Sequence, residues 1–531
     1  MDLPGWLLRF VYKKMLHRLR VPRDVLRFAW KRYANRVALI SPAGRLTYGE
    51  LRARVLQLTG QLQALGAQKG DVCFVMLAHG ADQVVANLAA MECGVVLSGA
   101  PRHGGEAVLQ QALQLLQPKV MLYDPQFHAF ALTVQRMVPG IRLLDLGALA
   151  RYADPLKPSA VPIEPEDLLN IGFTSGTTGI PKALAARHGT SLLSLKLVLE
   201  NVEIKKPAKP DIALIGIPVA GAGSGLVMPT LLSGGAMLIP AAYRSAEFLD
   251  LIPRYGVTRL FTTPSLLIDM IDDPALGRAD LRTLRNIIYG TELMPAAKLE
   301  EALRLFGPIL QQGYGSAEVL PPVTMLQPHD HVIDGVLAPR EILSSVGRVV
   351  PGVQVVVADD DDQPLAAGRI GQLLIRSPTM FGGYLQQTAL NDEVLRGGWL
   401  HIGDVGYVDH DGFLHVLGRK QDVIRRHGHV TYPRLVEEVM HDHPAIKETA
   451  YVQVGDLAVM AVSLRLASRP RLTDETLPQE LHAWLAPRVP SVDLPDRFVV
   501  MEELPRSALA KVLRREVRQI LSQSLDHPEV S

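Results

Sequence analysis

The sequence predicts an α/β protein. It has a large N-terminal domain of layered α/β subdomains with a small β-rich subdomain, followed by a small C-terminal α+β domain. Strand-like and helix-like runs alternate between residues 72 and 261, which is typical of helices packed on parallel strands. From Val346 onward the strands become short and are separated by Gly, Pro and Asp, which indicates the β-rich unit. A charged segment at residues 418–422 precedes a separate strand–helix pattern, so we expect a domain boundary there.

The individual elements follow from local patterns along the chain. A short strand at 44–47 leads into a helix that Thr47 is expected to cap. Runs rich in apolar residues predict strands at 72–77, 95–98, 120–123, 168–173, 212–217, 259–261, 353–357, 372–376, 413–416, 449–454 and 458–464. Apolar residues at helical spacing predict helices at 83–91, 107–116, 184–199, 248–255 and 477–485. The predicted division is a basic N-terminal segment at 1–45, a large domain at 46–418 and a C-terminal domain at 419–531.

The composition is that of a folded protein with more than one domain. The chain has 531 residues, of which 48% are apolar and 21% are charged, so it can bury a sizeable core. Its formal net charge of +1 gives no bulk electrostatic reason to expect nucleic acid binding. The two cysteines, Cys73 and Cys93, lie in apolar runs without metal-ligand spacing, which favours a reducing, cytoplasmic location.

The N-terminal residues are rich in Lys and Arg, with apolar residues such as Trp6, Leu7 and Phe10 between them. No run of about 18 uncharged apolar residues occurs in the chain, so no membrane span is predicted. Arg9 interrupts the apolar stretch, which argues against a signal peptide. A basic amphipathic helix here could make weak peripheral contact with an anionic membrane. A solvated helix packed on the domain is the favoured alternative.

The most informative stretch is residues 174–182, which reads TSGTTGIPK. Small residues let backbone N–H groups crowd around an anion, hydroxyls add donors, and the closing Lys182 adds a positive charge. It is not a Walker A loop, because Ile180 and Pro181 separate Gly179 from the lysine. The stretch is suited to holding a polyphosphate; a flexible surface loop of small residues is the alternative.

Five segments occur in order along the chain, and together they resemble the adenylate-forming (ANL) superfamily of acyl-CoA ligases, amino-acid adenylation domains and beetle luciferases. The segments are 174–182 (TSGTTGIPK), 314–318 (YGSAE), 399–404 (WLHIGD), 418–422 (GRKQD) and 505–511 (PRSALAK). The resemblance runs from near residue 46 to near residue 515. It implies that the C-terminal domain is mobile and that the active site lies between the two domains.

The resemblance also assigns residues to ATP and to the metal. The residues implied to bind ATP or AMP are Thr174, Ser175, Gly176, Thr177, Thr178, Gly179, Lys182, Gly290, Thr291, Glu292, Tyr314, Gly315, Ser316, Asp404 and Arg419. In this assignment Lys182 contacts the β- and γ-phosphates, and Asp404 accepts hydrogen bonds from the ribose hydroxyls. Glu318 holds Mg²⁺, and Lys511 bridges the acyl carboxylate and the α-phosphate as the catalytic lysine.

An acyl pocket and a hinge are implied in the same way. The pocket residues are Ala220, Gly221, Gly313 and Val319, and the hinge and thiol-channel residues are Gln421, Arg425 and Gly428. Ala220 and Gly221 replace an aromatic residue and a histidine, and Gly221 lacks the Asp that would pair with an amino-acid ammonium. Gly315 stands where acetate-type relatives carry a blocking Trp. We therefore expect a medium- or long-chain acid or an aromatic acid.

Four positions depart from the family pattern: Ala183, Ala317, Ala510 and Gln421. The family often has Thr where Ala317 stands, and that hydroxyl meets the α-phosphate. The neighbouring Ser316 is expected to point elsewhere. None of the four departures removes a charge that the chemistry needs.

The implied function is an ATP- and Mg²⁺-dependent acid–thiol ligase that forms an acyl-adenylate and then a thioester with coenzyme A. Transfer to the phosphopantetheine of an acyl carrier protein is a close alternative. In the family, an insertion between the positions of Glu318 and Asp404 marks the relatives that pass acyl-adenylates to carrier proteins without using coenzyme A. The spacing here leaves no obvious insertion of that kind, so the resemblance favours coenzyme A. A luciferase-like oxygenase and a non-catalytic nucleotide-binding protein are two further alternatives.

Overall fold

The computed structural model describes residue 16 and residues 18–101, 105–149, 157–174, 182–202, 211–471, 475–507 and 511–526. Two large sheets contain the strands between Val37 and Val349, apart from a short hairpin at 332–337, and strands are numbered in chain order. The nine-stranded sheet has the order β17 (Arg348–Val349), β14 (Thr324–Leu326), β13 (Leu310–Tyr314), β12 (Asn286–Gly290), β11 (Arg259–Thr262), β9 (Ile212–Ile215), β10 (Ala236–Leu238), β1 (Val37–Ser41) and β2 (Gly44–Thr47). The six-stranded sheet has the order β6 (Arg142–Asp145), β5 (Val120–Tyr123), β3 (Val72–Met76), β4 (Val96–Gly99), β7 (Leu168–Thr174) and β8 (Lys182–Arg187).

The inner strands of both sheets are parallel, and the antiparallel pairs lie at their edges. Helices cover these sheets, as parallel strands require. The helices before residue 400 are Pro22–Arg32, Tyr48–Ala64, Ala81–Cys93, Gly105–Leu116, His128–Met137, Leu146–Leu149, His188–Asn201, Val227–Ser233, Ser245–Tyr255, Pro264–Asp272, Ala296–Phe306, Pro328–His331, Arg340–Leu343 and Thr388–Val394. The predicted fold class, a large α/β N-terminal domain with smaller sheet-rich parts, is confirmed.

Smaller sheets make up the rest of the fold. The β-rich unit has the order β18 (Gln354–Ala358), β19 (Gly371–Arg376), β20 (Leu400–Val408) and β21 (Leu414–Arg419), and a hairpin pairs β15 (Val332–Ile333) with β16 (Val336–Leu337). The C-terminal residues contain the hairpin β22 (Ile424–Arg426) and β23 (His429–Thr431), and a sheet of β24 (Ile446–Val454), β25 (Leu457–Leu464) and β26 (Arg497–Met501). Their helices are Pro433–Met440, Leu477–Leu485 and Arg514–Asp526.

Two sequence expectations have different outcomes. Thr47 caps the helix that begins at Tyr48, and its side chain accepts a hydrogen bond from the Glu50 N–H, as predicted. The prediction of a helix over 184–199 is wrong at its start, because residues 182–187 form β8 and the helix begins at His188. The alanine-rich residues 183–186 have no strong strand preference of their own. Antiparallel pairing with β7 decides their conformation.

The division of the chain at residues 45 and 418 stays a prediction. Strand β1 lies before residue 45, yet it pairs with β2 and β10 in the nine-stranded sheet. The basic N-terminal segment, for which weak peripheral membrane contact was one of two alternatives, lies outside the described residues at 1–15 and 17. Within the described residues, no helix is both long and apolar enough to cross a membrane.

A buried ion pair links two neighbouring strands of the nine-stranded sheet. The Asp211 carboxylate, just before β9, contacts the Arg259 guanidinium on β11, and these side chains are only 9% and 4% exposed. The Thr258 hydroxyl also donates to Asp211 Oδ1 at 3.2 Å. Removal of one partner would leave a buried charge without compensation.

The substitution Asp211→Ala should lower the free energy of unfolding by about 3–5 kcal/mol, because Arg259 would stay buried without its counter-charge. Urea unfolding of the large domain measures this loss. A matched control is Asp250→Ala, which breaks the exposed pair with Arg254 one helical turn away. The control should cost no more than about 0.5 kcal/mol. Similar losses in the two variants would contradict the prediction.

Candidate active site

Loops at the carboxyl ends of neighbouring parallel strands form one side of the site. Residues 216–225, 291–295 and 315–323 follow β9, β12 and β13 of the nine-stranded sheet. In open α/β sheets the crevice beyond these strand ends is where ligands bind. The predicted pocket residues and several predicted nucleotide residues therefore lie along one edge of this sheet.

The predicted phosphate loop joins two paired strands of the six-stranded sheet. Thr174 ends β7, Lys182 begins β8, and the two residues are antiparallel partners. This pairing holds the two ends of the loop together and fixes where Lys182 leaves the sheet. Outside the described residues lie the predicted phosphate ligands Ser175, Gly176, Thr177, Thr178 and Gly179.

A carboxylate–guanidinium pair with a buried carboxylate and a partly exposed guanidinium joins β20 to β21. Asp404 and Arg419 are cross-strand partners, and Arg419 Nε lies 2.9 Å from Asp404 Oδ1. Tyr314, at the end of β13, donates its hydroxyl to Asp404 Oδ2 at 2.5 Å. Asp404 is 6% exposed. Three residues from three separate sequence motifs are thus in direct contact.

The electrostatics of Asp404, Arg419 and Tyr314 suit the binding of two neighbouring sugar hydroxyls. Burial raises the pKa of Asp404, and the Arg419 guanidinium and the Tyr314 hydroxyl act against that shift. Burial and the neighbouring carboxylate raise the pKa of Tyr314 well above its ordinary value, so the phenol stays a donor. Burial disfavours the charge of Arg419, but Asp404 and Glu318 raise its pKa overall. An ionised Asp404 can accept hydrogen bonds from two hydroxyls while Arg419 balances its charge.

Glu318 and Lys182 both contact Tyr384. The Tyr384 hydroxyl donates to Glu318 Oε1 at 2.8 Å. Lys182 Nζ lies 5.3 Å from the centre of the Tyr384 ring, within the range of a cation–π contact. Burial and the Glu318 carboxylate raise the pKa of Tyr384, so it donates as a neutral phenol. The predicted phosphate lysine and the predicted metal ligand therefore share one neighbour.

The turn that carries Glu318 is stabilised from within. The Ser316 hydroxyl accepts hydrogen bonds from the Glu318 N–H at 3.2 Å and the Val319 N–H at 3.3 Å. This hydroxyl is occupied by its own turn, and the exposed Ala317 supplies none. A Cβ added at Gly315 would lie 2.9 Å from Cβ of Pro321, so a side chain there would meet that proline.

Close strand packing and strain mark the residues expected at the adenine edge. A Cβ added at Gly290 would lie 2.5 Å from the carbonyl oxygen of Gly313, its partner on β13, so only glycine fits. Thr291 has a φ of +76°, which is rare for a β-branched residue. Its buried hydroxyl has no hydrogen-bond partner among the described residues. A strained residue with such a hydroxyl is a place where a polar ligand atom fits.

The Lys511 ammonium acts electrostatically on the buried Glu292. Glu292 Oε1 accepts a hydrogen bond from the Ser265 N–H at 2.9 Å. Burial raises the pKa of Glu292 to about 7, the Glu448 carboxylate adds to the shift, and the Lys511 ammonium acts against it. The Lys511 charge also opposes the raised pKa of Asp404. Lys511 therefore lies within electrostatic reach of two predicted nucleotide residues.

Arg506 anchors the motif at 505–511, which also contains Lys511. Its guanidinium donates to the two oxygens of Asp269 at 2.7 and 3.2 Å and also contacts Glu448. Lys447 Nζ reaches the same Asp269 carboxylate at 2.6 Å. These contacts join the helix Pro264–Asp272 of the large domain to β24 and to the residues before Lys511.

Comparisons with known proteins identify the family. The profile of the AMP-binding enzyme family matches residues 26–385. The chain belongs to the AMP-binding enzyme family. The predicted membership of the adenylate-forming superfamily is therefore confirmed.

Relatives of this AMP-binding enzyme are acid ligases. It is 29% identical over 92% of its length to a Mycobacterium tuberculosis medium/long-chain-fatty-acid–CoA ligase, FadD8, covering 88% of that protein. It is 30% identical over 89% of its length to a feruloyl-CoA synthase of Amycolatopsis sp., covering 94% of that protein. It is 32% identical over 65% of its length to the fatty acid–[acyl-carrier-protein] ligase ScoC of Streptomyces coeruleorubidus, covering 66% of that protein. The predicted enzyme class, an AMP-forming acid–thiol ligase, is confirmed by these relationships.

A solved structure confirms the fold. The anthranilate CoA ligase AuaEII in complex with anthranoyl-AMP superimposes with a TM-score of 0.85 over 95% of this chain and 98% of that chain. The sequences are 22% identical, so this similarity concerns the fold alone.

The predicted acyl-pocket residues of the AMP-binding enzyme differ in accessibility. Ala220 is exposed, Gly221 and Gly313 are half-buried, and Val319 is fully buried. The Ser224 hydroxyl donates to the Gly221 carbonyl at 2.8 Å, which closes a compact turn after β9. Ala220, Gly221 and Gly313 therefore have surface that a ligand can touch, whereas Val319 packs behind it.

The predicted hinge residue, Gln421, lies exposed in a single turn between β21 and β22. Lys420 Nζ pairs with Asp360 at 2.6 Å, and Asp422 lies 3.5 Å from Arg518. One neighbour of Gln421 is thus held by the β-rich unit and the other by the last helix.

The predicted thiol-channel residues lie in the β22–β23 hairpin. Arg425 is exposed, and Gly428 has a φ of +77°, which the tight turn requires. The neighbouring Arg426 contacts Asp496, and His429 Nε2 lies 2.9 Å from Asp493 Oδ1. The charge of Arg426 is therefore balanced by an aspartate.

Sequence reasoning missed Tyr384, Ser265, Asp269 and Glu448. None of them stands in a recognised motif. Tyr384 and Ser265 contact the predicted site residues Glu318 and Glu292, and Asp269 and Glu448 contact Arg506 of the motif at 505–511. Asp269 and Glu448 could have been sought as partners for Arg506, because a charged residue inside a functional motif needs a counter-charge when it is partly buried.

The substitution Asp404→Asn should raise the dissociation constant for AMP by about 10- to 100-fold, because charge-assisted hydrogen bonds are lost and Arg419 loses its counter-charge. Calorimetric titration with AMP measures this change. The matched control is Asp409→Asn on the same hairpin, where the carboxylate contacts His415 instead. Unchanged AMP affinity in the Asp404 variant would contradict its placement at the nucleotide.

Glu292 should make the stability of the protein depend on pH. Its pKa is raised from 4.5 to about 7 in the folded state. Its contribution to the free energy of unfolding is therefore fully present below about pH 4.5 and is lost as the pH rises through 7. Glu292→Gln removes this dependence and should therefore gain melting temperature relative to the unmodified protein between pH 5 and pH 8. Thermal unfolding across this range measures the difference, with the exposed Glu502→Gln as control. Parallel melting curves for the unmodified protein and Glu292→Gln would refute the assignment.

Proposed function

We propose that this AMP-binding enzyme activates a carboxylic acid with ATP and then transfers the acyl group to the thiol of coenzyme A. An acid oxygen attacks the α-phosphorus of ATP, and the bond to pyrophosphate breaks. The thiol sulfur then attacks the acyl carbon of the acyl-adenylate, and AMP leaves. The contacts of Tyr314 and Arg419 with the buried Asp404 support this proposal most strongly, because they form an acceptor site for ribose hydroxyls, and the Lys511 charge acts on the same carboxylate.

Different residues of the site would bind different parts of ATP in the first step. Asp404 and Arg419 would hold the ribose, and Gly290 and Thr291 would line the adenine edge. Lys182 and the loop before it would bind the β- and γ-phosphates. Lys511 would neutralise charge on the acid and the α-phosphate as the new bond forms.

Glu318 fits the role of ligand for Mg²⁺. The described residues contain no cluster of three or more His, Cys, Asp or Glu, so they hold no all-protein metal cage. Mg²⁺ is usually bound through one or two carboxylates together with substrate phosphates, which a single glutamate beside the phosphate loop satisfies. A bound ion would offset negative charge on the phosphates, and Glu318 would fix its place.

The second step would require movement of the C-terminal residues. Withdrawal of Lys511 about Gln421 would open a path for the thiol, and Arg425 would approach the phosphates of coenzyme A. The exposed position of Gln421 between two anchored neighbours supports this pivot.

The proposed acid has a medium or long acyl chain or an aromatic group. Relatives that act on fatty acids and on a feruloyl group support this class. The accessible Ala220 and Gly221 support it as well, because they leave room where larger side chains would restrict the acid. A cytoplasmic location, where ATP and coenzyme A occur, is part of this proposal.

Transfer to an acyl carrier protein is the second candidate. The relationship to the fatty acid–[acyl-carrier-protein] ligase ScoC favours it, although that alignment covers less of the chain than those to the CoA ligases. A pyrophosphate-release screen over fatty, aryl and amino acids distinguishes the candidates when thioester is assayed with coenzyme A and with a phosphopantetheinylated carrier protein. Thioester on coenzyme A alone supports the main proposal, and thioester on the carrier alone supports the second. No pyrophosphate release with any acid would overturn both.

Lys511→Ala should reduce pyrophosphate release by about 100- to 1,000-fold, because the charge that stabilises the transition state is removed. It should spare thioester formation from a supplied acyl-adenylate, which no longer needs that charge. Single-turnover assays of the two half-reactions measure this separation. Arg497→Ala, at an exposed position in the C-terminal residues, is the control and should affect neither half-reaction. Equal loss in both half-reactions would refute the role given to Lys511.

Gly221→Trp should shift acid preference toward shorter acids, because an indole would fill the inferred pocket. The ratio of kcat/KM for short and long acids measures the shift. Leu305→Trp, at an exposed position on the helix Ala296–Phe306, controls for the addition of a surface indole. An unchanged ratio in the Gly221 variant would place the pocket elsewhere.

A further inference from the structure

A short segment, residues 379–385, ties the strand of Lys182 to the loop of Glu318; we term it the linking segment. At one end the Leu385 N–H donates to the Ala183 carbonyl at 2.9 Å, directly beside Lys182. At the other end the Phe381 N–H donates to the Glu318 carbonyl at 2.8 Å. Bridges between Leu184 and Tyr384 and between Val319 and Met380 reinforce the two connections. Backbone hydrogen bonds thus join the two elements predicted to handle the phosphates.

Tyr384 is locked at the centre of this connection. Its N–H donates to Asn391 Oδ1 at 2.7 Å, and Asn391 Nδ2 donates back to its carbonyl at 2.9 Å. The preceding Gly383 has a φ of +110°, and a Cβ there would lie 2.9 Å from the Asn391 amide. The Tyr384 ring also packs edge-on against Phe381, with ring centres 4.9 Å apart. The backbone and the ring therefore have little freedom.

The fixed side chain touches two functional groups with two different parts. Its hydroxyl donates to one oxygen of Glu318 at 2.8 Å, which leaves the second oxygen for another partner. Its ring face lies 5.3 Å from Lys182 Nζ. A hydrogen bond to a ligating carboxylate fixes the direction in which its other oxygen points, and loss of such a bond typically weakens a metal site 10- to 100-fold.

We propose that Tyr384 is a positioning residue for phosphate handling: its hydroxyl orients Glu318 toward Mg²⁺, and its ring places the Lys182 ammonium beside the phosphates. This inference rests on the proposed function. It adds a residue outside the five motifs. It also explains how one rigid segment fixes the position of the metal ligand Glu318 relative to the phosphate lysine Lys182.

The two contacts can be separated by substitution. Tyr384→Phe removes the hydroxyl but keeps the packing on Phe381 and the ring beneath Lys182. Tyr384→Leu removes both contacts. Tyr48→Phe is the matched control, because it removes a buried hydroxyl that donates to the Gly235 carbonyl at 2.7 Å, away from the site.

The experiment measures ATP binding to the full chain by calorimetry at a series of free Mg²⁺ concentrations, with AMP binding and melting temperature measured in parallel. Tyr384→Phe should raise the Mg²⁺ concentration for half-maximal ATP binding about 10-fold or more. Its AMP affinity should stay within about twofold, because AMP lacks the β- and γ-phosphates. Tyr384→Leu should also weaken ATP binding at saturating Mg²⁺ by about two- to fivefold, the size of a cation–π contact. Tyr48→Phe should leave the Mg²⁺ dependence unchanged whatever its melting temperature.

A double-variant cycle tests whether Tyr384 acts through Glu318. Tyr384→Phe should add no further change in Mg²⁺ dependence to a protein that already carries Glu318→Gln. Additive effects, an unchanged Mg²⁺ dependence in Tyr384→Phe, or equal losses for ATP and AMP would each overturn the inference. Mg²⁺-dependent ATP binding by the unmodified protein separates these results from a failure of the proposed function. If that binding is absent, the proposed function and this inference both fall.

Discussion

The ion pairs of Arg506 with Asp269 and Glu448 are the contacts on which the arrangement of the site depends. Arg506 forms an antiparallel bridge with Val512, next to Lys511, so these pairs help to hold that lysine within electrostatic reach of Asp404 and Glu292. Ion pairs and hydrogen bonds dominate at this point of the boundary, with the Ser265 hydroxyl donating to Glu448 at 3.0 Å. Contacts of this kind can separate without exposing apolar surface to water, which is compatible with the proposed movement of the C-terminal residues.

Three sheets contribute to one site, and none could form it alone. The nine-stranded sheet supplies the strand ends with Gly290 and Tyr314, the six-stranded sheet supplies the paired strands on either side of the phosphate loop, and the β-rich sheet supplies Asp404 with Arg419. The Tyr314 hydroxyl on Asp404 joins the first of these sheets to the third. The linking segment joins the phosphate-loop strand to the loop of Glu318. Side-chain and backbone contacts between sheets, rather than any single element, therefore set the geometry of the candidate nucleotide site.

The sequence predicted the parts of this structure that depend on local patterns. The alternation of strands and helices, the cap at Thr47 and the strand that leads into the phosphate loop are local signals, and each is present. Motif residues as distant as Asp404 and Tyr314 could be assigned to one site only through family resemblance, and they are in contact. The alanine-rich start of β8 was misassigned, because its conformation comes from pairing with β7. Tyr384 could not be predicted from the sequence, because its proposed role depends on contacts with Lys182 and Glu318 that form only in the folded chain.

The central claim is that an oxygen of the acid attacks the α-phosphorus of ATP. The most direct test is a single turnover with ATP and an acid labelled with ¹⁸O in both carboxylate oxygens, followed by mass spectrometry of the AMP released on thioester formation. The account predicts one ¹⁸O atom in each AMP, because the bond between that oxygen and phosphorus forms in the first step and survives the second. Pyrophosphate release with unlabelled AMP would show that water, rather than the acid, attacks phosphorus, and would contradict the account.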